Sequence, residues 1–574
     1  MVGSTHWLAS AAGMAMLEGG GNAFDAAATT AFVLHVVEPH LNGPGGEVPA
    51  LIQKAGAERP TVLCGQGVAP RGATIGYYRE LGLDLVPGTG FLAATVPGAV
   101  GAWLTLLRDH GTQPLRAVLS YAIGYAEQGH IPVPRVSETI GAVTSLFREE
   151  WTSSAELWLP HEPGQLLRNP QLARTYSRLV EEAEKAGPGR EQQLDAAITA
   201  WYEGFVAEAI DAFCRQPILD DSGERHRGVL DGADLAAWRP SYEEPISLAT
   251  RGWTVYKVGT WCQGAVLLQQ LAMLEDDLPD PGTAELIHRT TEVAKLAFAD
   301  REAWYGDVPD VPVGTLLAQA YAKERAALVN SNASMELRPG SPDGRAPRLP
   351  RYVTDGVAPP VPLVQMGGLG EPTVSRHGTT RGDTCHIDVA DRWGNMISAT
   401  PSGGWLQSSP AIPGLGFCLG NRGQMFWLED GLPASLAPGK RPRSTLTPSF
   451  ARGNGTSMAF GTPGGDQQDQ WQLGFFLNHA AYTMNLQEAI DAPAWHTTAF
   501  PSSFYPRETH PGEVVVESRV GGAVIDELQR RGHRVVVSEP WSLGRLSAVT
   551  RDEETGVMRA AANPRGMQGY AVGR

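Results

Sequence analysis

Apolar residues from position 6 to 19 recur at helical spacing and stop at Gly19-Gly20-Gly21-Asn22, which predicts a helix ended by glycine. Ala23–Val37 is Ala-rich and apolar on all sides, the pattern of a buried helix. Pro39–Gly46 reads as a tight loop, and 48–53 and 61–64 as short strands. Residues 98–215 are mostly helical in pattern, broken near Gly111 and Pro132–Pro134. Residues 246–257 are strand-like. Thr283–Tyr305 predicts an amphipathic helix, with Leu286, Val293, Leu296, Ala297 and Trp304 near one face.

The pattern then changes. Residues 336–383 are rich in Pro, Gly and Arg with little periodicity, which predicts a flexible, exposed linker. Beyond it the chain alternates. Cys385–Ala390 and Met396–Thr400 read as strands around a turn at Asp391–Asn395, and Ser449–Arg452 and Ser457–Gly461 as a second hairpin. A third such pair surrounds Thr555-Gly556. A helix near 519–532 separates strands at Val514–Glu517 and Arg534–Ser538.

Composition narrows the function classes. The 574 residues are 42% hydrophobic and 19% charged, a globular balance with room for a deep core. The net charge of −16 disfavours nucleic acid or an anionic membrane as partner. Five widely spaced cysteines, without C-x-x-C, suggest neither a disulfide framework nor a zinc site. With no signal-like N-terminus and no long apolar run, the expectation is a cytoplasmic protein. H-E-x-x-H, a phosphate-binding glycine loop and G-x-S-x-G are all missing from the sequence, so no metal and no cofactor is expected.

The step Asp383-Thr384, where a linker meets a strand, can carry chemistry. A threonine hydroxyl can attack the preceding carbonyl through a five-membered ring, and water then hydrolyses the resulting ester. The chain is cut between Asp383 and Thr384. Thr384 then offers a hydroxyl nucleophile and an α-amine, with a pKa of roughly 7.7–8.0, as its own base. A threonine opening a strand is ordinarily just a strand residue. Cys385 is a rival nucleophile, but on a strand it faces away from Thr384.

Context comes from resemblance. Thr384-Cys385-His386 through Asp391-Arg392-Trp393-Gly394-Asn395 resembles the T-T-H-x-x-V-x-D-x-x-G-N segment that opens the small subunit of γ-glutamyltranspeptidases. Gly20–Ala27, Val37–His40, Gly43–Gly46, Val96–Gly98, Asp300-Arg301, Tyr305–Asp307, Lys440–Pro442, Gly464-Gly465 and Asn563–Gly566 fit the family in the same order. The resemblance implies an α+β fold, the αββα four-layer sandwich of N-terminal-nucleophile hydrolases. It also implies a self-cleaving proenzyme with a large segment 1–383 and a small segment 384–574, forming one intertwined αβ heterodimer, itself open to further assembly. Its partner is a small-molecule substrate. The resemblance casts Thr384 as nucleophile, Gly464 and Gly465 as oxyanion donors, Ser402 as a hydroxyl bonded to the nucleophile, and Ser444 and Thr445 as binders of a substrate carboxylate.

The departures lie in substrate recognition. Gln66 stands where the family has a carboxylate-gripping arginine, Met425 aligns with an aspartate that holds the substrate amine, and Gly404 with an asparagine. A bidentate charged pair is thereby lost. Arg443 or Arg422 offers another anion handle, or both are solvated surface residues. The segment Leu428–Gly439 is short for the family's lid, and Trp405 and Trp427 either line the site or pack in the core. These changes argue for a non-standard substrate. Natural-product-pathway members resembling that of lincomycin biosynthesis suggest an alternative, a C–C bond hydrolase that removes an oxalyl-type group from a pyrroline precursor in 4-alkyl-proline-type biosynthesis. A third reading is a non-catalytic binding protein of the same fold.

Overall fold

Ala23–Val37 is a helix with every residue buried. Asn22 Oδ1 accepts the Phe24 and Asp25 N–H groups, and Asp25 Oδ2 accepts the Asn22 N–H at 2.9 Å. This reciprocal cap satisfies donors that a buried helix start would otherwise leave bare. The computed structural model describes residues 1–276, 278–355, 384–563 and 569–574.

Two sheets form the centre. The larger has the order Tyr570–Val572, Val2–Ser4, Ile387–Ala390, Met396–Ala399, Val48–Gln53, Thr61–Gly65 and Ser241–Glu243. The other has the order Met558–Ala562, Ser547–Asp552, Thr456–Gly461, Ser449–Gly453, Trp253–Lys257 and Ile246–Thr250. All these pairings are antiparallel. The hairpins expected at 385–400, 449–461 and around Thr555 are present in register.

Alternation along each strand assigns its two faces to different layers. In the larger sheet Ile387, Val389, Ile397, Ala50 and Leu63 join a core with the helices Ala23–Val37 and Ala99–His110. Residues of opposite parity, Leu51, Val62, Ala390 and Met396, meet Phe450, Ala459 and Val549 of the second sheet. That sheet's other face, with Val255, Ala451, Met458 and Phe460, packs on the helices Ala265–Met273, Ala284–Trp304 and Gln468–Phe476. Helices, sheet, sheet and helices make the expected α+β, αββα sandwich. A satellite sheet pairs Glu513–Glu517 in parallel with Arg534–Ser538 across the helix Gly522–Arg530.

One expectation is corrected. Ala284–Trp304 is not amphipathic: residues 290–304 are buried on every side. Its charges are neutralised internally instead, with Lys295 bonded to Glu292 at 2.6 Å and Arg325 3.4 Å from Asp300. The helix carries these groups because elements pack on both of its faces, a tertiary fact that its own periodicity does not record. Of the expected linker, 336–355 carries a short turn at Pro342–Gly344 and the helix Arg351–Thr354. The rest of it, with Asp383, lies outside the described residues, as do residues 564–566 of the C-terminal motif.

Candidate active site

Thr384 sits at the mouth of the strand Ile387–Ala390, fully buried, and makes an antiparallel bridge to Ser402. Their hydroxyl oxygens are 3.2 Å apart. Residues 384, 386 and 388 share the face toward the second sheet. Cys385, as expected, is on the other side, where its thiol donates to Glu38 Oε2 at 3.0 Å and accepts from Asn42. Burial and the adjacent Glu38 push that thiol well above its ordinary pKa, so it is held protonated and unreactive.

The bridge continues on its far side. Ser402 N–H donates to the Glu47 carbonyl at 3.0 Å, and Glu47 N–H to the Ser402 carbonyl at 2.9 Å. Arg422 Nη2 donates to Ser402 Oγ at 2.9 Å, and Arg422 Nε to Glu47 Oε1 at 2.6 Å. The chain turns sharply after Ser402, through Gly403 at φ +74 and Gly404 at φ +67. A Cβ on Gly403 would fall 2.6 Å from Glu47 Oε2, so glycine is what lets the carboxylate lie there. Arg422 is itself buried, over the faces of Trp405 and Phe504 at 5.6 and 5.8 Å.

Gly464 and Gly465 form a turn at the start of a helical run, with φ of +132 and +52. A side chain at Gly464 would collide with the Trp471 ring at 2.2 Å. The turn is anchored from behind. Asp466 pairs with Arg301 and accepts the Ser503 N–H at 2.8 Å and its hydroxyl at 2.6 Å, and the Gln263 amide donates to the Gly465 carbonyl at 3.3 Å. Backbone N–H groups held this firmly are the kind of donors an oxyanion needs.

The five substrate-binding candidates are all buried. Ser444 lies beside Trp261 and Gln263 through backbone bonds, and Thr445 Oγ1 has no hydrogen-bond partner. Met425 packs with Trp405 and Phe504 in a small apolar cluster. Gln66 donates to the neighbouring Gly67 carbonyl, and its Oε1 is unpartnered. Neither Arg422 nor Arg443 is a solvated surface residue. Both terminal nitrogens of Arg443 are engaged, by the Arg301 carbonyl at 3.0 Å and by Glu302 at 2.5 Å. Leu428–Gly439 is folded down onto Trp427 by backbone bonds, and Lys440 Nζ ties it to the Pro433 and Ser435 carbonyls. Beyond it, Trp427, Tyr352, Tyr505 and Arg79 line a cleft of about 760 Å³.

Two features were not anticipated. One is Glu47, whose only sequence signal is its position after the Gly45-Gly46 pair. The other is a buried network between the sheets, in which His386 bonds Thr400 Oγ1 and Asp388 Oδ1, both at 3.0 Å, and Asp388 Oδ2 accepts from Ser547 at 2.6 Å. The spacing of 384, 386 and 388 was the available signal, since alternate strand residues share a face. The ligand-type side chains of His288, Glu292 and His533 also cluster, all buried. The histidines bond each other at 2.8 Å, and Glu292 is bound by Lys295 and Arg338. That is the chemistry of a polar staple, with two cations already on the carboxylate.

Comparison with known proteins places the chain in a family. The family profile described as gamma-glutamyltranspeptidase matches residues 9–573. The Acylase ACY 1 proenzyme of Pseudomonas sp. (strain SE83) is 31% identical, over 98% of this chain and 91% of its own length. The solved structure LmbA2991HD is 58% identical, covers 100% of this chain and 98% of its own, and superposes with a TM-score of 0.94. A cephalosporin acylase from Bacillus halodurans is 28% identical, over 99% and 94% of the two chains, with a TM-score of 0.80.

Proposed function

The chain belongs to the γ-glutamyltranspeptidase family of N-terminal-nucleophile enzymes, and from that premise we propose that it cuts itself before Thr384 and then hydrolyses a C–C bond beside a carbonyl. The product removed is an oxalyl-type group, taken from a pyrroline precursor of the 4-alkyl-proline kind. The observation that carries this reading is the buried Thr384–Ser402 hydroxyl pair, backed by Arg422, on the strand face opposite Cys385.

In the first step Thr384 Oγ attacks the Asp383 carbonyl, the C–N bond breaks, and the ester formed is hydrolysed. This leaves a carboxylate on Asp383 and a free α-amine on Thr384. In the second, the amine accepts the hydroxyl proton as Oγ attacks the substrate carbonyl. The N–H groups of Gly464 and Gly465 bear the oxyanion. The C–C bond breaks, its electron pair is taken up as an enamine, and the amine returns the proton to the leaving carbon. Water then frees the acyl group from Thr384.

Two observations favour this over γ-glutamyl transfer. Gln66 and Met425 offer no charge for the α-carboxylate and α-amine of a glutamyl group. The likeness to LmbA at 58% identity, against 31% for the Pseudomonas acylase, supports grouping the chain with natural-product-pathway members. Amide hydrolysis of another acyl substrate is the second reading, favoured by the same nucleophile and by the acylase relatives. Denaturing mass spectrometry of wild-type and Thr384→Ala protein tests the first step. Fragments of 383 and 191 residues, lost in the variant, are expected, and an intact wild-type chain would sink the mechanism. Turnover of a pyrroline bearing an oxalyl-type group, with little on a γ-glutamyl anilide, is expected next; the reverse preference would restore the ordinary family activity.

A further inference from the structure

Arg422 has more hydrogen-bonding capacity than its surroundings use. Its Nε and Nη2 are taken by Glu47 and Ser402, but Nη1 is buried with no partner among the described residues. An unpartnered cationic N–H in a low-dielectric setting is costly, and such groups survive where a ligand completes them. Arg301 and Arg443, two other fully buried arginines, differ. Their terminal nitrogens are all engaged, and only Nε of each is bare.

The position gives the orphan a use. Arg422 is one hydrogen bond from Ser402 Oγ, which is 3.2 Å from Thr384 Oγ. The guanidinium is flanked by the rings of Trp405 and Phe504, and these pack with Met425. Glu47 neutralises the Ser402 side of the cation through Nε and Nη2, and it lies against Gly403, where an added Cβ would stand 2.6 Å from its Oε2.

We infer that Arg422 grips a carboxylate on the acyl part of the substrate, so the enzyme takes acyl groups that end in an anion a few bonds from the attacked carbonyl. The inference rests on Thr384 being the nucleophile. It holds for a C–C or an amide substrate alike, and it disfavours an acyl group carrying a free amine near that carbonyl, which the cation would repel. A planar guanidinium with two parallel donors also discriminates by shape, so lysine is a poor substitute.

The test uses purified wild-type protein, its cleavage state read by denaturing mass spectrometry. Oxamate and its neutral isostere oxamide are titrated calorimetrically. Oxamate is expected to bind at least tenfold more tightly. Arg422→Gln should weaken oxamate about 100-fold and leave oxamide within twofold, and Arg422→Lys should recover only part of the loss. Equal affinity of wild-type protein for the two probes, or no oxamate binding, overturns the inference even if neither variant folds. So does undiminished oxamate binding by Arg422→Gln. An uncut wild-type chain that still prefers oxamate withdraws the nucleophile and with it the assignment to the acyl part, and leaves standing only a carboxylate site on Arg422. A cut, active enzyme without the preference removes the arginine's role alone.

Discussion

Thr384 and Ser402 face each other across an antiparallel bridge, hydroxyl to hydroxyl at 3.2 Å, and neither is reached by solvent. The pairing depends on Glu47, whose backbone closes the opposite side of Ser402.

Ser402→Ala removes the bond to the Thr384 hydroxyl and strips Arg422 Nη2 of one acceptor. Autocleavage is expected to slow by about tenfold to 100-fold, the effect of roughly 1.4–2.7 kcal/mol. A time course of fragment appearance on a denaturing gel measures it. Ser402→Thr keeps the hydroxyl and should recover most of the rate, whereas equal loss in both variants would assign Ser402 to packing alone.

Gly464→Ala puts a Cβ against the Trp471 ring and forces alanine to φ +132. The combined steric and backbone cost is about 2–4 kcal/mol. A lower melting temperature and loss of turnover are expected. Adding Trp471→Leu should return part of the stability but not the activity, because the backbone strain persists.

Lys257 is buried with its Nζ 3.1 Å from Asp469 Oδ1, and it also donates to the Thr447 carbonyl and Ser449 Oγ. Lys257→Met leaves Asp469 without its cation and should cost about 3–5 kcal/mol. Lys257→Met combined with Asp469→Leu should cost less than the single change, and denaturant midpoints compare them.

Burial pushes His35 down to about 3, and its Nδ1 is bonded to the Tyr176 hydroxyl at 2.8 Å. The unfolded chain takes up this proton below about pH 6.5 while the folded protein does not. Stability is therefore full above about 6.5 and is lost as pH falls toward 3, by ~2 kcal/mol at pH 5 for one such site. His6 and His496 are pushed down to about 3 for the same reason. Urea midpoints at pH 7 and pH 5 should differ less for His35→Gln than for wild type; an unchanged difference would show that His35 does not contribute.

The buried helix at 23–37, the hairpin after 384 and the opposite aspects of Thr384 and Cys385 were legible because each rests on local periodicity. Arg422 was legible only as one of two candidate anion handles, and its pairing with Glu47 was not, since 375 residues separate the two. Arg422 and Arg443 look alike in sequence. What distinguishes them is that the Arg301 carbonyl and Glu302, both from a distant helix, engage the two terminal nitrogens of Arg443, while Arg422 keeps a bare terminal nitrogen. The helix at 284–304 misled for a related reason: its charged positions suggested a wet face, but a second layer brings countercharges to them.

Val2–Ser4 lies between Ile387–Ala390 and Tyr570–Val572 in the larger sheet. A piece from one side of the Asp383–Thr384 bond is thus wedged between two pieces from the other. While that bond is whole, assembly is a one-body event, independent of concentration. Once it is severed, two strangers must find each other and rethread alternate strands, so recovery from denaturant becomes second order and slow at low concentration. Under the proposed self-cleavage the bond would serve as a falsework, needed to raise the arch and dispensable when the keystone is in. A protein denatured after the cut is then expected to lose for good what the uncut chain regains.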